Sequence, residues 1–289
     1  MLENIALAAT IGAMLCWGFG DFFIQRAVRR IGNVESLFFI GLIGSIGLLP
    51  FVLPELPLLF SAENLAFLFF AGIFTFVVAV VLFDALKKGK LAVIDVVFEI
   101  ELPITVVLGI FFLHEVLTFL QFLLIAVIFS GILLIGLESL NLKKLSKNIE
   151  KGFLIGLIGA AGMGFLNFFT AFGAKEISPL MIIWVPWVVF MAVSLAVIIS
   201  RKNLKRLFFN TKKFPRLILA EGILDTAAWL LFAIALSSSA LSITTAITES
   251  YPALAVFLGI AINREKIVAH QYLGAVMALA GSIALALLA

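Results

Sequence analysis

The chain has 289 residues, of which 63% are hydrophobic and 13% charged, and its mean hydropathy is +1.23. A soluble domain is nearer half apolar and a quarter charged, so these values exclude an ordinary globular protein and leave a polytopic membrane protein. The net charge of +3 carries meaning only once its residues are placed along the chain, and the single cysteine, Cys16, excludes intrachain disulfides and cysteine-based metal clusters.

A helix crosses the hydrocarbon layer in about 20 residues at 1.5 Å each. Apolar runs between polar breaks predict ten such spans, at 4–25, 34–53, 65–86, 91–113, 117–137, 152–174, 178–199, 217–236, 240–262 and 268–289. The opening residues, MLEN, lack a basic n-region, so the first span is expected to be retained. The fourth span is the least regular, because it contains Asp95, Glu99 and Glu101.

The basic residues orient these spans. The loops after spans 1, 3, 5, 7 and 9 hold 19 of the 20 lysines and arginines, and the other side holds only Lys175. By the positive-inside rule those five loops are expected in the cytoplasm and both termini outside, in a plasma-membrane protein. One span too many or too few would scramble this alternation. The most basic loop, RKNLKRLFFNTKKFPR, reads as a topology signal lying on the leaflet rather than as a nucleic-acid site.

The two halves of the chain are related. Residues 82–103, LFDALKKGKLAVIDVVFEIELP, align with 231–252, LFAIALSSSALSITTAITESYP. Glu115, Gln121 and Gly131 align with Glu265, Gln271 and Gly281, and WGFGDFF (17–23) aligns more loosely with MGFLNFF (163–169), setting Asp21 against Asn167. Each half has an odd number of spans, so the second copy must enter the membrane upside down, an arrangement that secondary transporters use. The expected fold is therefore an all-α polytopic membrane protein, with ten transmembrane helices in two inverted five-helix repeats. The repeats span 1–140 and 149–289, joined by a polar linker at 141–148.

This pattern resembles the drug/metabolite transporter superfamily, specifically its ten-helix EamA-type members. The resemblance runs over essentially the whole chain. It rests on Trp17-Gly18 in the first span, the run FAIALSSSAL at 232–241, Pro103 and Pro252, and the ends of the repeats at His114-Glu115 and Arg264-Glu265, where the family has Gly-Glu. It implies export of small metabolites or drugs through a central cavity between the two units.

Acidic residues inside the spans carry the chemistry. Asp95, Glu99, Glu101, Asp225 and Glu249 lie well inside spans that hold no lysine or arginine, and Glu221 lies shallower. Each would cost about 2.5–3.5 kcal/mol to insert as an ion. Protonation, a bound cation or a polar water-filled cavity would offset that. Asp95 and Glu99 share a helix face, as do Glu221 and Asp225 with Trp229 one turn on. Glu101 points away from Glu99 unless the helix is irregular. Pro103 and Pro252 supply such irregularity, since each removes an N–H from the turn before it. Broken helices at equivalent places in two repeats are where transporters offer backbone carbonyls to ions or substrate.

The candidate substrate- or proton-binding residues are Glu99, Glu101, Asp225, Glu249, Asp95, Trp17, Trp229 and Asn167. The acids could also simply hydrogen-bond to Thr244, Thr245 and Thr248, and the two tryptophans could serve packing. The small-residue pairs Gly152/Gly156 and Gly274/Ala278 read as helix-packing seams.

A secondary exporter of amino acid-like or amine-bearing molecules, with proton coupling through the carboxylates, is the favoured reading. A passive facilitator or cation channel lined by the same acids stays open. The remote third reading is an intramembrane aspartyl protease, from Gly18-Phe19-Gly20-Asp21, Phe83-Asp84 and Pro252-Ala253-Leu254. Its elements stand in the wrong chain order, and Asp21 serves equally well as a snorkelling cap near Arg26. No enzyme activity, cofactor, metal or nucleic-acid partner is expected. The partners are a small-molecule substrate and the lipid bilayer, and monomer or homodimer stays open.

Overall fold

The structure is a computed structural model that describes residues 2–88, 98, 100–136, 151–253 and 268–288. Asp95, Glu99, Glu265 and the linker 141–148 lie outside the described residues. Among the described residues every regular element is helical.

Helices stand at all ten expected positions: α1 (Leu2–Arg30), α2 (Asn33–Val52), α3 (Ala62–Lys88), α4 (Glu101–Phe112), α5 (Phe119–Gly136), α6 (Lys151–Glu176), α7 (Met181–Ser200), α8 (Pro215–Leu236), α9 (Leu241–Thr248) and α10 (Ala269–Ala286). Seven of them, α1–α3, α6–α8 and α10, are long and apolar enough to cross a membrane on the described residues alone. α4 and α5 are shorter apolar helices. The outer surface carries large apolar side chains such as Phe111 (70% exposed) and Phe51 (64% exposed). Such a surface is sheltered by lipid, where helices satisfy their own backbone groups.

Two elements depart from the simple ten-span reading. After α2 the chain tightens into a 3-10 turn, Leu53–Phe60, where Pro54 and Pro57 forbid continued α-helix hydrogen bonding. The basic loop after α7 contains an amphipathic helix, Leu204–Lys213. Its Leu207 and Asn210 are buried against the bundle while Phe208 and Phe209 are exposed.

The pairing of helices shows the duplication in three dimensions. α1 packs along α8, and its counterpart under exchange of the repeats, α3 along α6, is also present. The pairs α2–α7, α4–α9 and α5–α10 map onto themselves under the same exchange. Gly12 of α1 faces Leu231 and Gly20 faces Leu224, so α1 and α8 run antiparallel. Within a repeat the first and third helices run the same way, so the second repeat is inverted.

Lipid tails are as apolar as leucine, so close approach and interhelical hydrogen bonds hold such helices together. The α5–α10 seam illustrates the first. A Cβ on Gly131 would stand 2.7 Å from the carbonyl oxygen of Gly274 and 2.8 Å from the amide of Ala278. Only glycine permits that backbone contact. α4, α5, α9 and α10 share one apolar core around Leu102, Ile128 and Ala246. α2, α3, α6, α7 and α8 meet in another around Leu68, Leu166, Trp187 and Phe232.

Candidate functional site

Tryptophans from three helices converge where the repeats meet. Trp17 of α1 stands edge-on to Trp229 of α8, with ring centroids 5.3 Å apart. Trp229 also meets Trp187 of α7 at 6.2 Å. Trp187 Nε1 donates to Thr226 Oγ1 at 3.0 Å. This bond orients the indole and ties α7 to α8, one residue from Asp225. Asp225 is buried at 9% exposure and Trp229 at 8%.

Beside these rings lies a void of about 10 Å³, lined by Thr75, Phe169, Thr170, Pro186, Trp187 and Trp229 among others. That volume is about the least that holds one water.

A second polar group joins α4 to α6. Asn167 Nδ2 donates to Glu101 Oε1 at 3.2 Å and to Thr105 Oγ1 at 3.3 Å. All three residues are buried. Glu101 opens α4, with Ile100 as the N-cap. Pro103 sits in that first turn, where its missing N–H leaves no helical bond unmade.

Glu249 stands just past the end of α9, half-buried, its N–H bonded to the carbonyl of Thr245 at 2.8 Å. Pro252 lies in helical backbone that begins at Tyr251, after the Glu249–Ser250 turn. Thr244, Thr245 and Thr248 are all buried around this end. Asp225, Trp17 and Trp229 thus gather at α1 and α8, and Glu101 and Asn167 at α4 and α6.

Residues not chosen as candidates make two further features. Glu221 of α8 is fully buried and accepts the Ser36 hydroxyl at 2.6 Å. Its other oxygen has no hydrogen-bond partner among the described residues. The spacing of Glu221 and Asp225 was visible in sequence, but the depth of Glu221 depends on α2 lying over it.

The larger feature is a hollow of about 610 Å³ at the end of the bundle that carries the basic loops. Its walls include Asn33 and Glu35 of α2, Asp84 of α3, and Arg201 and Arg206 after α7, so it opens between the repeats. The volume suits a small molecule. None of the described candidate acids, Glu101, Asp225 and Glu249, is among its lining residues. Charges at span ends look like topology signals in sequence, and nothing in spacing alone sets Glu35 and Asp84 across from Arg201 and Arg206.

The glycine-aspartate segment of α1 shows a packing role for one of its glycines. A Cβ on Gly20 would touch Leu224 of α8 at 3.4 Å. Among the described residues no cluster of three or more His, Cys, Asp or Glu side chains could hold a metal ion.

No curated protein sequence matches this chain significantly. A protein known from a crystal structure superposes on 98% of this chain and 98% of its own with a TM-score of 0.71 at 15% identity, a likeness that establishes the fold. The model of the EamA-like transporter family matches the chain twice, over residues 4–137 and 150–287. Two matches that together span nearly all of it place the protein in the EamA-like transporter family, within the drug/metabolite transporter superfamily.

Proposed function

We propose that this transporter is a secondary active exporter of small amine-bearing or amino acid-like molecules in the plasma membrane, working by alternating access between its repeats. The observation that carries the reading is the hollow that opens between the repeats at one end. A hollow of about 610 Å³ opens between the repeats at the basic end, and a void of about 10 Å³ lies beside Trp187 and Trp229. A small-molecule-sized hollow between two inverted repeats fits a carrier.

The basic loops lie in the cytoplasm and both termini outside, so the hollow receives substrate from within the cell. Trp17 and Trp229 supply ring faces for a cationic or planar group. Asp225, Glu101 and Glu249, with Asp95 and Glu99, supply negative charge or exchange protons, so that inward proton movement drives outward movement of the amine. The exporter needs no enzymatic step.

The test is flux in proteoliposomes with candidate amines and amino acids under an imposed pH gradient, followed by Glu101→Gln, Glu249→Gln and Glu99→Gln. The expected outcome is gradient-driven accumulation that at least one of these variants uncouples. Flux that only runs downhill, with the same pH response in all variants, would favour the passive facilitator.

A further inference from the structure

The amphipathic helix Leu204–Lys213 is held at the surface of the bundle by its short connections. Three residues separate it from the end of α7 at Ser200, and only Phe214 separates it from Pro215, where α8 begins. Its Leu207 packs with Ala27 and Ile31 at the end of α1, Val34 at the start of α2, Ile198 of α7 and Ile218 of α8. Arg206 Nη2 adds a bond to the carbonyl of Ile31 at 3.4 Å. All of these partners lie within about a turn of a span end, so the helix rests at the depth of the lipid headgroups. Residues 201–216 carry seven basic side chains and no acidic one.

Where this helix meets α1, cations gather on aromatic rings. Lys213 Nζ lies 5.3 Å from the ring centroid of Phe209 and 5.4 Å from that of Phe214. Arg30, at the end of α1, brings its guanidinium to the same Phe214 ring at 5.6 Å. One turn back along α1, the guanidinium of Arg26 stands 4.0 Å from the centroid of Phe22. Each ring favours its cation. Yet Arg30 and Lys213 share one ring although like charges repel, and Arg216 is exposed two residues beyond it. A phosphate between them would replace that repulsion with charge-assisted hydrogen bonds, which the guanidinium fork forms well.

The side that this junction faces identifies the source of the phosphate. Phe22, Arg26 and Arg30 recur every four residues and so share one face of α1. Phe22 lies inside the span with 49% of its surface exposed, and an exposed ring at that depth meets acyl chains. The face therefore runs from hydrocarbon at Phe22 to headgroups at Arg30. The hollow draws on other cations, Arg201 and Arg206.

We propose that Arg30 and Lys213, with Arg26 one turn deeper, form a binding site for the phosphate of an acidic phospholipid in the leaflet at the basic end, with its acyl chains lying along Phe22. The bound lipid joins α1 to the helix between α7 and α8, and so bridges the two repeats.

The test is native mass spectrometry of the full chain in a neutral detergent, titrated with phosphatidylglycerol or with phosphatidylcholine. Phosphatidylglycerol should bind more tightly. Arg30→Gln with Lys213→Gln should weaken it roughly 30-fold, at about 5-fold for each basic residue lost, and leave phosphatidylcholine unchanged. Arg30→Lys with Lys213→Arg keeps both charges and should retain most of the affinity, which separates a lost site from a misfolded chain. Arg201→Gln with Lys202→Gln removes the same charge from the same surface and should bind phosphatidylglycerol as the parent does. Equal affinity for the two lipids would overturn the site and leave the surface to a protein partner. An equal loss in the Arg201 and Lys202 variant would reduce the effect to diffuse attraction and overturn it too. Inorganic phosphate or glycerol 3-phosphate bound as tightly as phosphatidylglycerol would make the occupant a soluble anion and overturn the lipid.

Discussion

Asn167 of α6 donates its side-chain amide to the carboxyl of Glu101 on α4 at 3.2 Å, tying the second repeat to the first inside the bundle. Its other contact, to Thr105 Oγ1 at 3.3 Å, uses the same nitrogen, so one NH₂ group serves two buried acceptors. The asparagine thus links two buried acceptors of α4 to α6.

Asn167→Ala should therefore destabilise the protein by about 1–3 kcal/mol, the net contribution of two buried hydrogen bonds at about 0.5–1.5 kcal/mol each. Thermal melting in detergent checks this. Glu101→Gln keeps a carbonyl oxygen for Asn167 and should melt close to the parent chain. Equal melting temperatures for parent and Asn167→Ala would show that the contact contributes nothing.

The fold was legible because the apolar runs and the alternation of basic loops are both long-range patterns that every span must satisfy. α4 and α9 were the least legible, since proline and carboxylates interrupt the apolar signal where these helices begin or end. The contact between Asn167 and Glu101 could not be read, because aligning the repeats pairs Asn167 with Asp21, its equivalent, and not with the residue it touches. The hollow was invisible for a different reason. Its charged walls come from the ends of four helices, where a one-dimensional reading sees only loops, and its shape depends on how the repeats lean together.

The tryptophan group gives a second prediction. Trp229 touches both Trp17 and Trp187, so Trp229→Ala would open a cavity as well as remove a ring, at a cost of about 3–5 kcal/mol. Trp17→Phe keeps most of the packing and removes only the indole. If the rings bind the amine, Trp17→Phe should weaken substrate-dependent fluorescence quenching while leaving the melting temperature nearly unchanged. Unaltered quenching would leave the rings a packing role.

The glycine seam gives a third. Gly131→Leu would drive a side chain into the carbonyl of Gly274 and the amide of Ala278. Overpacking of this kind costs about 1–3 kcal/mol or more. The variant should be recovered in lower yield and melt earlier, whereas Gly47→Ala, with open space around its Cβ position, should not. Equal behaviour of the two would remove the seam's importance.

Orientation is tested by a reporter at the carboxyl terminus. The 19 basic residues on one side predict that a phosphatase fused after Ala289 is active outside the cytoplasm. A fusion fluorescent only in the cytoplasm would invert the whole arrangement and send the hollow to the other face.

Counterflow tests alternating access most directly. Proteoliposomes loaded with unlabelled transported amine, and diluted into a trace of labelled amine, should accumulate label transiently above its outside concentration, because one binding site faces each side in turn. Label that rises only to the outside concentration, with no overshoot at any internal loading, would contradict a carrier and leave a pore.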